Sequence, residues 1–208
     1  MIIAVSGVDC SGKSTQIQYI SGLVDSGQSK IIWGRYGYTP GIEALKKIYR
    51  FLRGNKHNKN IAWTLVNENT GFTFVGLIWQ WISIIDFLFY YGFVVRAMSK
   101  TGKTIILDRF LIDFFVDYEL FHKKKAGFFL KRLASLVTCN PKCSFLLSVN
   151  VKTSIERMAL KNDPFPLSKE SLEKRSKLYQ EYRTSELIID ANRGVDEVFK
   201  DIRSYIQI

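Results

Sequence analysis

Proline and cysteine are scarce in this sequence of 208 residues, with four and three copies, and the 19 acidic residues are outnumbered by 30 lysines and arginines. A small, odd number of cysteines excludes a disulfide scaffold and suits a reducing compartment, so a cytoplasmic location is expected. Cys139 and Cys143 lie close together, but no histidine or cysteine cluster completes a zinc set. No repeat, linker or low-complexity tract interrupts the chain. With 47% hydrophobic residues it is neither disordered nor collagen-like. The opening residues MIIAVSG lack a basic stretch and a long apolar run, so no signal peptide is expected. The shortage of acid leaves a formal charge of +11. That excess points to an anionic partner: phosphate, nucleic acid or an acidic membrane face.

One run, 72–95, is long and apolar enough to be mistaken for a membrane span. Gln80, Ser83 and Asp86 interrupt it at intervals of three, and Thr73, Gly76 and Tyr90 extend the same helical face. A lipid-facing helix has no use for such a stripe, whereas a helix with one face on a polar cleft does. No transmembrane span is therefore expected, and Gln80 becomes a candidate substrate contact.

Short apolar runs at 2–6, 30–33, 104–107, 144–149 and 187–189 read as strands. Helical patterns separate them at 13–25, 42–52, onward to Lys100 with a break near Gly71, 110–121, 128–137, from 153, 168–184 and 195–206. A basic loop occupies 53–60, and Pro164 and Pro166 mark another. Strands alternating with helices predict one α/β domain over 1–208, its parallel sheet covered on both faces.

The segment Gly7-Val8-Asp9-Cys10-Ser11-Gly12-Lys13-Ser14 follows a strand, opens a helix and fits G-x-x-x-x-G-K-[ST]. Its glycines let the backbone curl, so that N–H groups and the helix start hold phosphate oxygens. Lys13 supplies positive charge and the Ser14 hydroxyl a ligand for Mg²⁺. Asp9 inside the loop would repel phosphate unless a cation or donor intervenes. It either faces magnesium and the acceptor or shapes the turn. Asp108 and Arg109 end the third strand, at the edge where open α/β sheets bind ligands. Asp108 suits Mg²⁺ or its water, and Arg109 suits a phosphate. Arg35 follows the second strand at the same sheet edge.

The G-V-D-C-S-G-K-S-T segment together with Ile106-Leu107-Asp108-Arg109-Phe110 resembles the thymidylate kinase family of nucleoside-monophosphate kinases. SFLLSVNVKTSIERM from Ser144 and LIIDANRGVDEV from Leu187 are similar to its later segments. The resemblance implies a P-loop fold with five parallel strands in the order 2-3-1-4-5, and a lid at about 159–169. ATP·Mg²⁺ would be held by Gly7, Asp9, Cys10, Ser11, Gly12, Lys13, Ser14 and Thr15, with Arg157 at the lid base. Lys13, Asp9 and Arg109 would carry catalysis, and Ser14, Asp9 and Asp108 would serve the metal. Arg35 and Arg109 would hold the acceptor phosphate. The family also pairs through long helices near 72–95, which implies a homodimer. Trp79, Trp81, Phe87, Phe89 and Tyr91 support this, because they cannot all face one small core.

The chain departs from that family where the base is read. Phe87, with Asp86 beside it, stands at the place of the thymine-reading arginine, and the P-loop and lid lack the usual arginine. Asp113 and Asp117 share a helix face with Arg109, either to orient it or to read an exocyclic amine. The expected activity is an ATP-dependent kinase acting on a nucleoside monophosphate, dTMP or a related one, without strong preference for thymine. Two alternatives stay open. One is a nucleoside or other small-molecule kinase using Asp9 or Asp108 as base. The other is an ATP-binding P-loop protein that acts at an anionic surface through Lys123–Lys125, Lys131 and Arg132. Nucleic acid is not the expected partner.

Overall fold

A computed structural model describes residues 1–24, 27–52, 74–161 and 166–206, and of 49, 50, 52 and 74–76 only the backbone. The expected start of the apolar run at Phe72 and Thr73, the break near Gly71, the basic loop 53–60, Asp25 and residues 162–165 of the expected lid lie outside the described residues. Two compact units divide the chain: Met1–Gly34 with Ala97–Val116 and Asn140–Ile208, and Arg35–Arg96 with Asp117–Cys139.

The first unit holds the sheet. Its strands are β1 (Ile2–Gly7), β2 (Ser29–Trp33), β3 (Thr104–Asp108), β4 (Cys143–Ser148) and β5 (Leu187–Asp190). They pair in the order β2-β3-β1-β4-β5, all parallel. Every residue of β1 is buried, as a central parallel strand covered on both faces requires. Ile3, Ile105, Ile106, Leu107, Phe145 and Leu147 fill the centre of the core. Register sets Val5 opposite Asp108 and Gly7 opposite Leu147, so β1, β3 and β4 end close together. Helix α1 (Lys13–Gly22) leaves the end of β1 and rests on the C-terminal helix, where Tyr19 meets Phe199 edge-on at 5.1 Å and the Gln16 amide donates to the Val195 carbonyl.

The second unit is helical: α2 (Pro40–Leu52), α3 (Phe74–Phe89), a π-helical stretch Tyr90–Val94 and, after a continuing turn α4 (Val95–Ser99), the later part of α5 (Leu111–His122) and all of α6 (Phe128–Val137). Ile84, Phe87, Tyr91 and Val95 are buried here. Asp86 caps the start of α2. Its carboxylate accepts from the Thr39 hydroxyl and, at 3.0 Å, from the Ile42 N–H. A Cβ on Gly41 would collide with that carboxylate, so the cap needs glycine at this point. Returning to the first unit, α7 (Val151–Leu160), α8 (Lys169–Tyr182) and α9 (Val195–Tyr205) complete the chain.

Leu77–Ser99 is long and apolar enough to cross a membrane, with mean hydropathy 1.4 over its most apolar 18 residues, a third of which are buried. Its polar residues are spent inside the unit: Asp86 on α2, and Gln80 on the Tyr118 hydroxyl at 2.6 Å. Its outer face shows Leu77, Ile78, Trp81, Ile85, Phe89 and Phe93 to solvent.

Candidate active site

The P-loop backbone is bent into its shape by residues that tolerate positive φ. Gly7 sits at φ 146°, and a Cβ there would lie 2.7 Å from the Leu147 carbonyl. Cys10 adopts φ 61°. The curl turns two carbonyls inward, and the Lys13 ammonium donates to Gly7 O at 2.9 Å and Val8 O at 2.6 Å. Lys13 is buried. Burial first, then the Arg109 charge, lowers its pKa to about 8 against the pull of Asp9, Asp113 and Asp108. From α7 the Ser154 hydroxyl donates to the Asp9 carbonyl at 2.6 Å and steadies the loop. No side chain caps α1, and its first turn carries no acid. Its free N–H groups and dipole therefore favour an anion. Ser14 and Thr15 are exposed on that turn, and the buried Ser11 hydroxyl has no partner among the described residues.

Arg109 leaves β3 at φ 76°, a strained conformation for a non-glycine, fixed by its own N–H bonding to Val5 O at 3.0 Å. Its guanidinium lies between two carboxylates. One nitrogen pairs with Asp9 of the P-loop and another with Asp113 Oδ1 at 3.3 Å. Asp113 also accepts from the Phe110 N–H at 3.0 Å and the Tyr179 hydroxyl at 2.6 Å. Both of its oxygens are thus engaged within the unit. Beside this chain of charges, burial raises the pKa of Asp108, with Lys13 and Arg109 opposing. Its Oδ1 is buried without a partner among the described residues. Arg157 donates to the Ala191 carbonyl at 2.8 Å, at the far end of α7.

In the second unit, Arg35 pairs through Nε with the buried Asp117 at 3.0 Å. The Tyr36 hydroxyl meets His122 Nε2 at 2.7 Å, and the Tyr36 ring meets Tyr118 edge-on. Burial raises the Tyr36 pKa. Phe87 is core, its ring 4.5 Å from that of Tyr91. Sequence reasoning missed Tyr179 and the buried Arg175 one turn before it. Both share the inward face of α8 with Leu172 and Leu178, a spacing visible in the sequence, but nothing local says what that face meets.

Over 100% of its length the chain is 28% identical to the thymidylate kinase of Thermosipho africanus, and it spans 98% of that enzyme. The chain resembles thymidylate kinases from end to end. In three dimensions it is similar to the Candida albicans enzyme of that name (TM-score 0.62, 17% identity, 98% of this chain and 89% of that one). It is also similar to the thymidylate kinase of Ehrlichia chaffeensis (TM-score 0.57, 16% identity, 100% and 98%). The deoxyadenosine kinase of M. mycoides, solved with bound dATP, matches equally well (TM-score 0.57, 20% identity, 98% of each). These establish the P-loop kinase fold with the strand order expected from the sequence. No protein-family profile matches the chain.

The residues present suit ATP with Mg²⁺. An uncapped helix start, an exposed Ser14 hydroxyl and an unpartnered Asp108 oxygen are what a metal shared with phosphates needs, since magnesium takes few protein ligands and keeps its waters. Among the described residues no group of three or more His, Cys, Asp or Glu could hold a metal by itself.

Proposed function

We propose that this protein is an ATP-dependent nucleotide kinase that moves the γ-phosphoryl group of ATP to a nucleoside monophosphate. The observation that carries the reading is the Asp9–Arg109–Asp113 chain of charges, which sets an arginine against the P-loop at the end of β3. It also answers why a carboxylate is tolerated in the phosphate loop: Arg109 neutralises it. The P-loop N–H groups and Lys13 bind the donor phosphates. Ser14, Asp9 and Asp108 hold the metal, which supplies screening of phosphate charge. Arg109 releases one carboxylate to meet the acceptor phosphate, while Asp113, fixed by Tyr179 and the Phe110 N–H, keeps its guanidinium aimed. An acceptor phosphate is already an anion, so positioning and charge screening suffice and no base is required. Arg157 belongs to the lid base, and the acceptor roles of Arg35 and Gln80 are each tested by an alanine variant through the acceptor KM.

A second reading, phosphorylation of a nucleoside hydroxyl, draws support from Asp108, whose raised pKa and open oxygen suit a base. One panel separates the two: nucleotides and nucleosides with ATP·Mg²⁺, followed by ADP release. Monophosphates are expected to turn over and nucleosides not. Because Phe87 is packed in the core and Asp113 is fully engaged, neither donates to thymine. The kcat/KM for dTMP is therefore expected to stay within a hundredfold of those for dCMP, dAMP and dGMP. A larger margin restores strict thymidylate specificity.

We further propose a homodimer through the outer face of α3 and the π-helical stretch after it, where Trp81, Ile85, Phe89 and Phe93 recur in solvent. Light scattering at micromolar concentration checks it, and a monomer refutes it. The free thiols of Cys10, Cys139 and Cys143 suit a cytoplasmic setting.

A further inference from the structure

From Leu120 to Ile155 the chain has no acidic residue, but it has Lys123, Lys124, Lys125, Lys131, Arg132, Lys142 and Lys152. In the middle lies α6, held to the second unit by its inner side. Ala134 is buried, Arg96 donates to the Val137 and Thr138 carbonyls, and the Cys139 N–H donates to Tyr91 O at 3.0 Å. The opposite side is open. Phe128 and Phe129, adjacent at the helix start, are 84% and 78% exposed, and Leu136 two turns on is 64% exposed. Lys123–Lys125 are exposed in the turn just before them, where Lys123 takes φ 52°, and Arg132 lies between them and Leu136 on the same face.

We propose that this face of α6 docks the protein on the surface of an anionic phospholipid bilayer. The two phenylalanines enter the headgroup boundary and the lysines meet the lipid phosphates. Exposing two neighbouring large aromatics is unfavourable unless something covers them. A basic face with aromatic and aliphatic side chains at one edge is the composition that binds in the plane of a membrane interface. Charge complementarity selects the lipid: a turn and helix carrying Lys123, Lys124, Lys125, Lys131 and Arg132 and no acid is attracted to negative headgroups. Lysine ammoniums are point charges that suit lipid phosphates. Single-stranded nucleic acid is instead tracked by a charged groove with stacking aromatics and arginines, and the turn and helix carry one arginine, Arg132. A patch of this kind with no lipid anchor gives weak, reversible binding.

The test is co-sedimentation of the full chain with sucrose-loaded vesicles of phosphatidylcholine, with and without phosphatidylserine, across a salt series. Binding is expected only to the phosphatidylserine vesicles and falls with salt. Changing Lys123, Lys124 and Lys125 to Gln together is expected to weaken it about a hundredfold. Phe128→Ser with Phe129→Ser is expected to weaken it at least ~10-fold, while ATP turnover stays unchanged and reports an intact fold. A Phe128→Trp variant, quenched by brominated acyl chains, reads insertion directly. Equal sedimentation with neutral vesicles, unchanged binding in the double serine variant, or displacement from the vesicles by a single-stranded RNA would each overturn the proposal. The last result would move the face to nucleic acid.

Discussion

The two units use charge in opposite ways. In the first, charged groups pack against one another around a loop that leaves donors free: Asp9 and Lys13 follow β1, Asp108, Arg109 and Asp113 end or follow β3, and several perturb their neighbours' ionisation. In the second, the inward polar side chains of α2, α3 and α5 serve structure. Asp86 caps a helix, Gln80 meets Tyr118, and Asp117 meets Arg35. One unit keeps its polar capacity for a ligand and accepts strain at Arg109 and Cys10 to do so. The other consumes it internally and leaves apolar faces outward. Perturbed, strained and unpartnered groups gather where chemistry is done. Saturated ones mark architecture.

Lys13→Ala gives the sharpest break in that contrast. It removes the cation that holds the P-loop carbonyls and the donor phosphates, and ATP turnover is expected to fall on the order of 10³-fold or more. Circular dichroism should show the fold retained, since Lys13 opens α1 and is not among the sheet residues. Near-normal ADP release from the purified variant would remove the kinase reading.

Arg109→Ala comes next and tests whether the chain of charges serves the acceptor. Acceptor affinity is expected to fall by about a hundredfold, from the loss of a charge-assisted pair worth roughly 2–3 kcal/mol, with a smaller loss of ATP affinity because Asp9 loses its partner. Tyr179→Phe removes only the hydroxyl that steadies Asp113. The acceptor KM is expected to rise on the order of tenfold while ATP affinity holds. Equal losses at donor and acceptor would place Arg109 on the wrong side of the reaction.

Asp86→Ala carries the comparison into the second unit. It strips the Thr39 hydroxyl and the Ile42 N–H of their acceptor, at a cost of about 1–3 kcal/mol. Urea unfolding should register the loss, whereas kcat per folded molecule should not change. A variant that keeps its stability but loses activity would turn this saturated cap into a functional group.

The phosphate half was legible in the sequence because its chemistry is local. Eight consecutive residues specify the curl, the charge and the helix start, and short apolar runs were enough for the parallel sheet, whose strand order the family resemblance implied. The later stretch was less legible. Strand β3 runs one residue further than its apolar pattern, through Asp108, because pairing with Val5 continues past the hydrophobic residues. The partnership of Tyr179 with Asp113 spans 66 residues and has no local signature. Likewise, the stripe of Gln80, Ser83 and Asp86 read as a face toward a cleft. Periodicity gives the face but not its neighbour, and the neighbours of Asp86 and Gln80 are a helix start and a tyrosine. The π-helical stretch at Tyr90–Val94 was invisible, since its residues are as apolar as those of the α-helix before it.

The smallest expected effect is also the one whose sign separates the units most cleanly. In the ligand-free protein Lys13 has a pKa of about 8 against 10.5 for an unperturbed lysine. Between those values the unfolded chain binds more protons at this site than the folded one, so this group makes stability rise with pH from about 8 to 10.5. Below about 8 its buried charge is a standing cost. Donor binding runs the other way, because phosphate needs the ammonium form. The Kd for ATP is expected to be flat below pH 8 and then to weaken, up to ~10-fold per pH unit as the proton is lost. The shifted groups of the second unit act oppositely at the upper end of that window: burial raises the Cys139 thiol from 9.0 to about 11, so its contribution falls as pH rises from 9, and the tyrosines follow near 10. His122 is lowered from 6.5 by burial and the Lys124 charge, and burial raises Tyr36, Tyr90 and Tyr118 from 10. Calorimetric titration with ATP and thermal melts of the free protein, each from pH 7 to beyond 9, read the two slopes. Lys13→Arg, which stays charged throughout, should flatten the affinity profile and remove the Lys13 share of the stability slope. If the parent protein and Lys13→Arg show the same stability slope between pH 8 and 10.5, Lys13 is not the buried, destabilised cation described, and the first unit loses the group that most distinguishes it.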